Sequence, residues 1–151
     1  MTAMIRNALV LGSLLVASAL FGVDRSALAE EAPTLYTRLG QWDGIQQIVR
    51  DTIANHRKNP AIAHFFDGVD DDRLAAHVTA FFAAGTGGPN QYEGRDMTST
   101  HATMGLSNED FDKAVADVLL ALDMNDIGDA EKSEVATILE SLRPAVMGTG
   151  S

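Results

Sequence analysis

The sequence predicts an all-α domain, and three observations carry that prediction. From Leu35 to Val146, apolar residues return at i, i+3, i+4 and i+7, the period of one helix face. Asp, Ser, Gly and Pro punctuate this pattern where helices start and stop. No stretch alternates convincingly in the two-residue period of a strand.

The elements follow in order. Leu35, Tyr36 and Leu39 open the pattern, and Gly40 interrupts it. Ile45, Ile48, Val49 and Ile53 form one face of a helix that ends near Asn59-Pro60. Ile62 to Phe66 is a short piece that carries Phe65-Phe66 and stops at Gly68. Asp70 or Asp71 caps the next helix, whose inward stripe reads Leu74, His77/Val78, Phe81 and Phe82. Gly85, Gly87, Gly88 and Pro89 end it, and 87–94 is a loop by composition. Asp96 caps a brief segment containing Met97 and His101, which Gly105 terminates.

Ser107 with Asp110 resembles a capping box, although Glu or Gln is the usual partner. The helix it starts places Phe111, Ala114, Val115, Val118, Leu119 and Leu122 on one face. Asp129 starts the last helix, with Val135, Ile138, Leu139, Leu142 and Val146 facing inward. A set of helices this short, joined by a long Gly-containing loop, leaves an apolar face to be covered, and a buried cofactor would cover it.

Composition narrows the function. The chain has 151 residues, enough for one domain. Acidic residues outnumber basic ones by 21 to 11, for a net charge of −10, which argues against a nucleic-acid partner because phosphate binding needs clustered Lys and Arg. There is no cysteine, which excludes disulfides, iron–sulfur clusters and haem attachment through Cys-x-x-Cys-His.

Residues 1–29 have the pattern of a secretory signal. Arg6 supplies a positive start, Ala8 to Val23 are apolar or small, and Ala27-Leu28-Ala29 offers a cleavage site before Glu30. The expectation is an exported, periplasmic protein with no stable membrane insertion after cleavage; the alternative is an uncleaved anchor. The expected organisation is a signal at 1–29, a short lead at 30–34, one domain at 35–147 and a flexible end at 148–151.

Four histidines are candidates for function. His56, among Asn55, Arg57 and Lys58, reads as a solvated surface residue, and His64 precedes Phe65-Phe66 in a turn. His101 lies four residues after Met97, so both project from one side of their segment. His77 is expected on the inner side of its helix, where a polar ring needs a partner. Spacing alone leaves His77 and His101 open between a structural role and a ligand role.

The residues as a series resemble a known family. Leu35-Tyr36-Thr37-Arg38-Leu39-Gly40 looks like the opening motif of group I truncated haemoglobins. The likeness continues through Asn59-Pro60, Phe65-Phe66, Phe81-Phe82 and Gly87-Gly88-Pro89. Its most specific part is Tyr92-Glu93-Gly94-Arg95-Asp96-Met97-x-x-x-His101, followed by Gly105-Leu106 and Phe111.

The resemblance implies a shortened globin in which two antiparallel helix pairs stack as a two-over-two sandwich around one haem b per chain. On the matching position, His101 is the proximal iron ligand, its second ring nitrogen donating a hydrogen bond outward. Phe66 matches the phenylalanine that packs on the haem near its distal edge. Leu74, Val78, Phe81, Phe82, Tyr92, Met97, Phe111, Val118 and Leu122 are implied to line the pocket.

The chain departs from the family where many members carry a distal Tyr and Gln. Ile53 stands at the first position and Val78 at the second. A donor there stabilises bound O2 by roughly 1.5–3 kcal/mol, so losing both puts O2 storage and NO dioxygenation in doubt. Some cyanobacterial-type members carry a histidine at the position of His77 and use it as a sixth iron ligand. The expected function is therefore reversible binding of O2, NO or CO at a haem iron held by His101, with His77 on the opposite side in the absence of ligand. The alternatives are an envelope NO dioxygenase or peroxidase-like enzyme, or an electron-transfer or haem-handling protein. Redox turnover would require an external electron donor, because the sequence contains no reductase domain.

Overall fold

The computed structural model describes residues 32–148. Its helices are α1 (Leu35–Arg38), α2 (Gln41–Lys58), α3 (Asp71–Gly85), α4 (Met97–His101), α5 (Asn108–Met124) and α6 (Asp129–Val146), with a 3-10 turn at Ala63–Phe66. Among the described residues there is no strand, as the apolar period requires. The expected signal at 1–29 and the last residues, 149–151, lie outside the described residues.

α2 is the central element. Ile45, Ile48, Val49 and Ile53 are all buried, and the helix packs against both α3 and α5. At its N-terminus Gly40 takes a φ of 85°, a left-handed turn natural to glycine, which separates α1 from α2. α1 is tied to the far end of the chain: Arg38 donates to Glu131 at 2.7 Å and to Glu134 at 2.7 Å, both on α6.

The caps form where the sequence places them. Asp70 accepts from the Arg73 N–H and Asp96 from the Ser99 N–H. Ser107 and Asp110 make the full reciprocal box, Asp110 N–H to Ser107 Oγ at 3.2 Å and Ser107 N–H to Asp110 Oδ2 at 2.9 Å. Aspartate thus serves in place of the usual Glu.

α3 departs from the expected stripe. Its buried residues are Ala75, Thr79, Ala80, Phe82 and Ala83, while Leu74, Val78 and Phe81 are only half-buried and His77 is exposed. Small side chains permit a close helix–helix approach. The tightly packed side of α3 is accordingly rich in Ala and Thr and keeps Phe82 of the expected stripe, while Leu74, Val78 and Phe81 border it. In α5 and α6 the expected stripes are partly covered: Phe111, Leu122 and Val135 are buried, whereas Val118, Leu119, Ile138 and Leu139 pack against the core from its margin.

Candidate functional site

α4 is one turn long and is held at both ends. At its start the Asp96 carboxylate accepts from Ser99 N–H at 2.8 Å and from Ser99 Oγ at 2.7 Å. These bonds hold the Asp96 carboxyl below the usual carboxylate range. At its end Met104 N–H donates to the His101 carbonyl at 3.0 Å, and Gly105 turns away with a φ of 64°. The helix packs on α6.

His101, in this helix, is half-buried, and its Nδ1 lies 2.8 Å from the Met97 carbonyl oxygen. A carbonyl only accepts, so Nδ1 carries the proton and Nε2 keeps its lone pair in the neutral ring. A ring oriented by a hydrogen bond at one nitrogen and free at the other is a prepared metal ligand.

The loop before α4 is fixed by Tyr92. Its hydroxyl donates to the Arg95 carbonyl at 2.6 Å, and its ring meets Phe81 of α3 edge-on, with centroids 5.2 Å apart. Gly94 makes room for this arrangement, because a Cβ there would fall on the Tyr92 hydroxyl and ring and push the side chain aside. Tyr92, Phe81 and Met97 are each half-buried.

Across α3, His77 does not face inward as its register suggested. It lines an open depression of about 330 Å³ with Gly68, Val69, Asp70, Arg73 and Leu74. On the same flank of α3, Leu74 and Val78 are half-buried against the margin of the core, and Phe81 is half-buried beside Tyr92. Ile53 and Ala75 line a second, smaller depression of about 170 Å³ beside Arg50, Ala54, Asp71 and Asp72.

Of the other expected pocket residues, Ile53, Phe82 and Leu122 belong to the buried core. Phe111 is buried beneath the Arg143 guanidinium, whose carbon stands 4.2 Å from the ring centroid, and Val118 is half-buried against the core. Phe66 is half-buried in the 3-10 turn.

His56 corrects the sequence reading most clearly. It is not solvated: 9% of its surface is exposed, and its Nδ1 donates to Asp117 Oδ2 of α5 at 2.9 Å. Burial lowers its pKa, outweighing the upward pull of Asp117, so the ring is neutral near pH 7. Its polar sequence neighbours hid it, because nothing local reveals that Asp117 waits on the apolar face of another helix. The lone signal was Asp117 itself, a carboxylate in the stripe between Ala114 and Ala121. His64, in contrast, is exposed and rests against Phe65, with ring centroids 4.0 Å apart.

Known proteins resemble this chain in sequence and fold. The family described as Bacterial-like globin matches residues 34–147, nearly all of the described chain. Over 119 residues the chain is 30% identical to the Group 1 truncated hemoglobin of Tetrahymena pyriformis, covering 76% of this chain and 95% of that protein. It is 31% identical over 109 residues to the Group 1 truncated hemoglobin of Synechocystis, covering 70% and 88%. The crystal structure of the Tetrahymena pyriformis protein in its Fe(III) form matches with a TM-score of 0.74 at 29% identity, over 76% of this chain and 98% of that one. The 2/2 hemoglobin of Synechococcus, at 23% identity and a TM-score of 0.72, shares the fold. The chain belongs to the bacterial-like globins, and within them to the group I truncated haemoglobins.

The cofactor of this family is haem. The residues present fit it. Among the described residues no group of three or more His, Cys, Asp or Glu gathers to hold a bare metal ion. Haem iron would need only an imidazole nitrogen from the protein, and Nε2 of His101 is of that kind.

Proposed function

We propose that this chain would hold haem b through Nε2 of His101, with His77 as the residue that would serve as a second ligand when no O2, NO or CO is bound. The observation that carries the reading is the 2.8 Å bond from His101 Nδ1 to the Met97 carbonyl, which presents Nε2 as the free donor. Haem, when bound, would supply a redox-active iron able to bind O2, NO or CO.

The chain's own residues supply the rest. Asp96 fixes the start of α4 and thereby the height of His101. Tyr92, Phe81, Leu74, Val78 and Met97 provide apolar, half-buried surface for the ring to cover, and Phe66 walls its distal edge. Covering such surface contributes about 25 cal/mol per Å². Ile53 and Val78 offer no hydrogen-bond donor where many relatives place Tyr and Gln. That absence favours ligand exchange or electron transfer over tight O2 storage. The pattern at 1–29 supports export, in which case haem enters after the unfolded chain has crossed the membrane. Recovery of the haem-loaded protein from the cytoplasm alone would refute that part.

Absorption spectra of the ferric and ferrous protein test the assignment. The expected result is a Soret band with a low-spin ferric spectrum, lost in His101→Ala and converted to high-spin in His77→Ala. A Soret band indifferent to His101→Ala refutes the proximal assignment, and a high-spin ferric spectrum unchanged by His77→Ala refutes the distal one.

A further inference from the structure

We propose that His56, held by Asp117, is a positioning residue that sets the place of the Phe66 ring at the wall of the haem site. This rests on the haem-binding reading above and adds a residue to it. The ring of His56 stacks on that of Phe66, with centroids 5.0 Å apart and planes 19° from parallel. Such a pair contributes beyond its buried area. Phe66 is itself half-buried, so His56 covers part of the ring and leaves the rest accessible.

The imidazole could rotate about its two side-chain torsions were it not tethered. Asp117 provides the tether and is itself tethered. Its Oδ2 accepts from His56 Nδ1 at 2.9 Å and from Asn59 Nδ2 at 3.0 Å, and its Oδ1 accepts from Asn59 Nδ2 at 3.2 Å. Its backbone carbonyl takes the Asn55 amide at 3.1 Å. Two side chains of the last turn of α2, and that of Asn59 which caps it, therefore converge on one residue of α5.

A buried carboxylate in an otherwise apolar helix seam is costly unless such partners meet it, and an apolar residue of similar size would pack there with less demand. What the polar group adds is orientation: it fixes the plane of His56, and that plane fixes Phe66. The backbone of Phe66 is held from the neighbouring residue. Arg57 Nη1 donates to the Phe66 carbonyl at 2.6 Å, Nη2 donates to the Val69 carbonyl at 2.9 Å, and the guanidinium pairs with Asp71 at the start of α3. The Arg57 carbon stands 6.0 Å from the Phe66 ring centroid. One turn of α2, placed three and four residues beyond Ile53, thus carries both grips on Phe66.

Two substitutions separate positioning from mere packing. His56→Gln keeps an N–H for Asp117 and removes the ring face; His56→Phe keeps the ring face and removes the N–H. Haem transfer from the loaded full-length chain to excess apomyoglobin gives the release rate. Proton NMR of the ferric cyanide form gives the ratio of the two haem orientations, which reports the wall of the site rather than global stability. The expected result is release roughly three- to tenfold faster in His56→Gln with a changed orientation ratio, and a changed orientation ratio in His56→Phe as well, because its ring face has lost the Asp117 tether. A His56→Phe variant that keeps the wild-type ratio reduces the role to packing and overturns the inference. In a Phe66→Leu background the effect of His56→Gln should vanish, because the residue acts through Phe66. Unchanged release and orientation ratio in His56→Gln overturn the inference while leaving haem binding intact. The same effect persisting in the Phe66→Leu background also overturns it. A wild-type chain that takes up no haem overturns the functional reading and this inference together.

Discussion

The buried imidazole of His56 makes stability depend on pH in a direction that can be worked out. Burial favours its neutral form in the folded chain, so its folded pKa lies below the ordinary value of 6.5, even with Asp117 pulling the other way. The unfolded chain therefore binds the proton more readily. The stability that His56 contributes is complete above about pH 6.5 and is lost as pH falls through the folded pKa. One proton gives a slope of at most about 1.4 kcal/mol per pH unit. At pH 5.5, one unit below the unfolded value, the loss reaches at most about 1.4 kcal/mol. With the side chain only 11% exposed, solvent screening reduces this little. Urea unfolding of the haem-free chain between pH 5 and 8, in wild type and His56→Phe, isolates the term as the difference of two curves. The wild type should lose stability more steeply than the variant below pH 6.5. Parallel curves would refute the reasoning. A wild type that gains on the variant as pH falls would mean that the attraction of Asp117 exceeds the cost of burial.

Two further substitutions probe the loop and helix around His101. Gly94→Ala drives a methyl group into Tyr92, which must leave the Arg95 carbonyl and the edge of Phe81. Thermal unfolding should record a loss of about 1–3 kcal/mol, with faster haem release; a variant as stable as the parent would show that the loop is not fixed by this contact. Asp96→Ala removes the cap of the helix that carries His101, where Ser99 supplies two bonds to the carboxylate. Haem release should accelerate while the urea midpoint of the α2–α3–α5 core changes little, and a change confined to the midpoint would place the role of Asp96 elsewhere. In the parent the same cap should weaken only in acid, because a carboxyl with a depressed folded pKa keeps its contribution until pH falls through that value.

The one-dimensional pattern was sufficient for whatever depends on neighbours along the chain. The period of Ile45, Ile48, Val49 and Ile53 placed the buried face of α2, and the three caps at Asp70, Asp96 and Ser107 formed as expected because each joins residues three positions apart. The order of motifs from Leu35 to Phe111 identified the family that the matched residues 34–147 bear out. The orientation of His101 also lies within reach of local chemistry, since its partner Met97 is one turn away.

Only the tertiary structure decided which flank of α3 is buried. Hydrophobicity favours Leu74, Val78 and Phe81 over Ala75, Thr79 and Ala83, but close packing of two helices favours the small residues, and that preference depends on a partner helix absent from the local sequence. The same holds for His56. Its neighbours Asn55, Arg57 and Lys58 are polar and two of them bear charge, whereas its environment is set by Asp117, sixty-one positions later and buried on α5. A polar residue becomes interior only when a distant partner satisfies it, and such pairings are created by the fold rather than by the period of the chain.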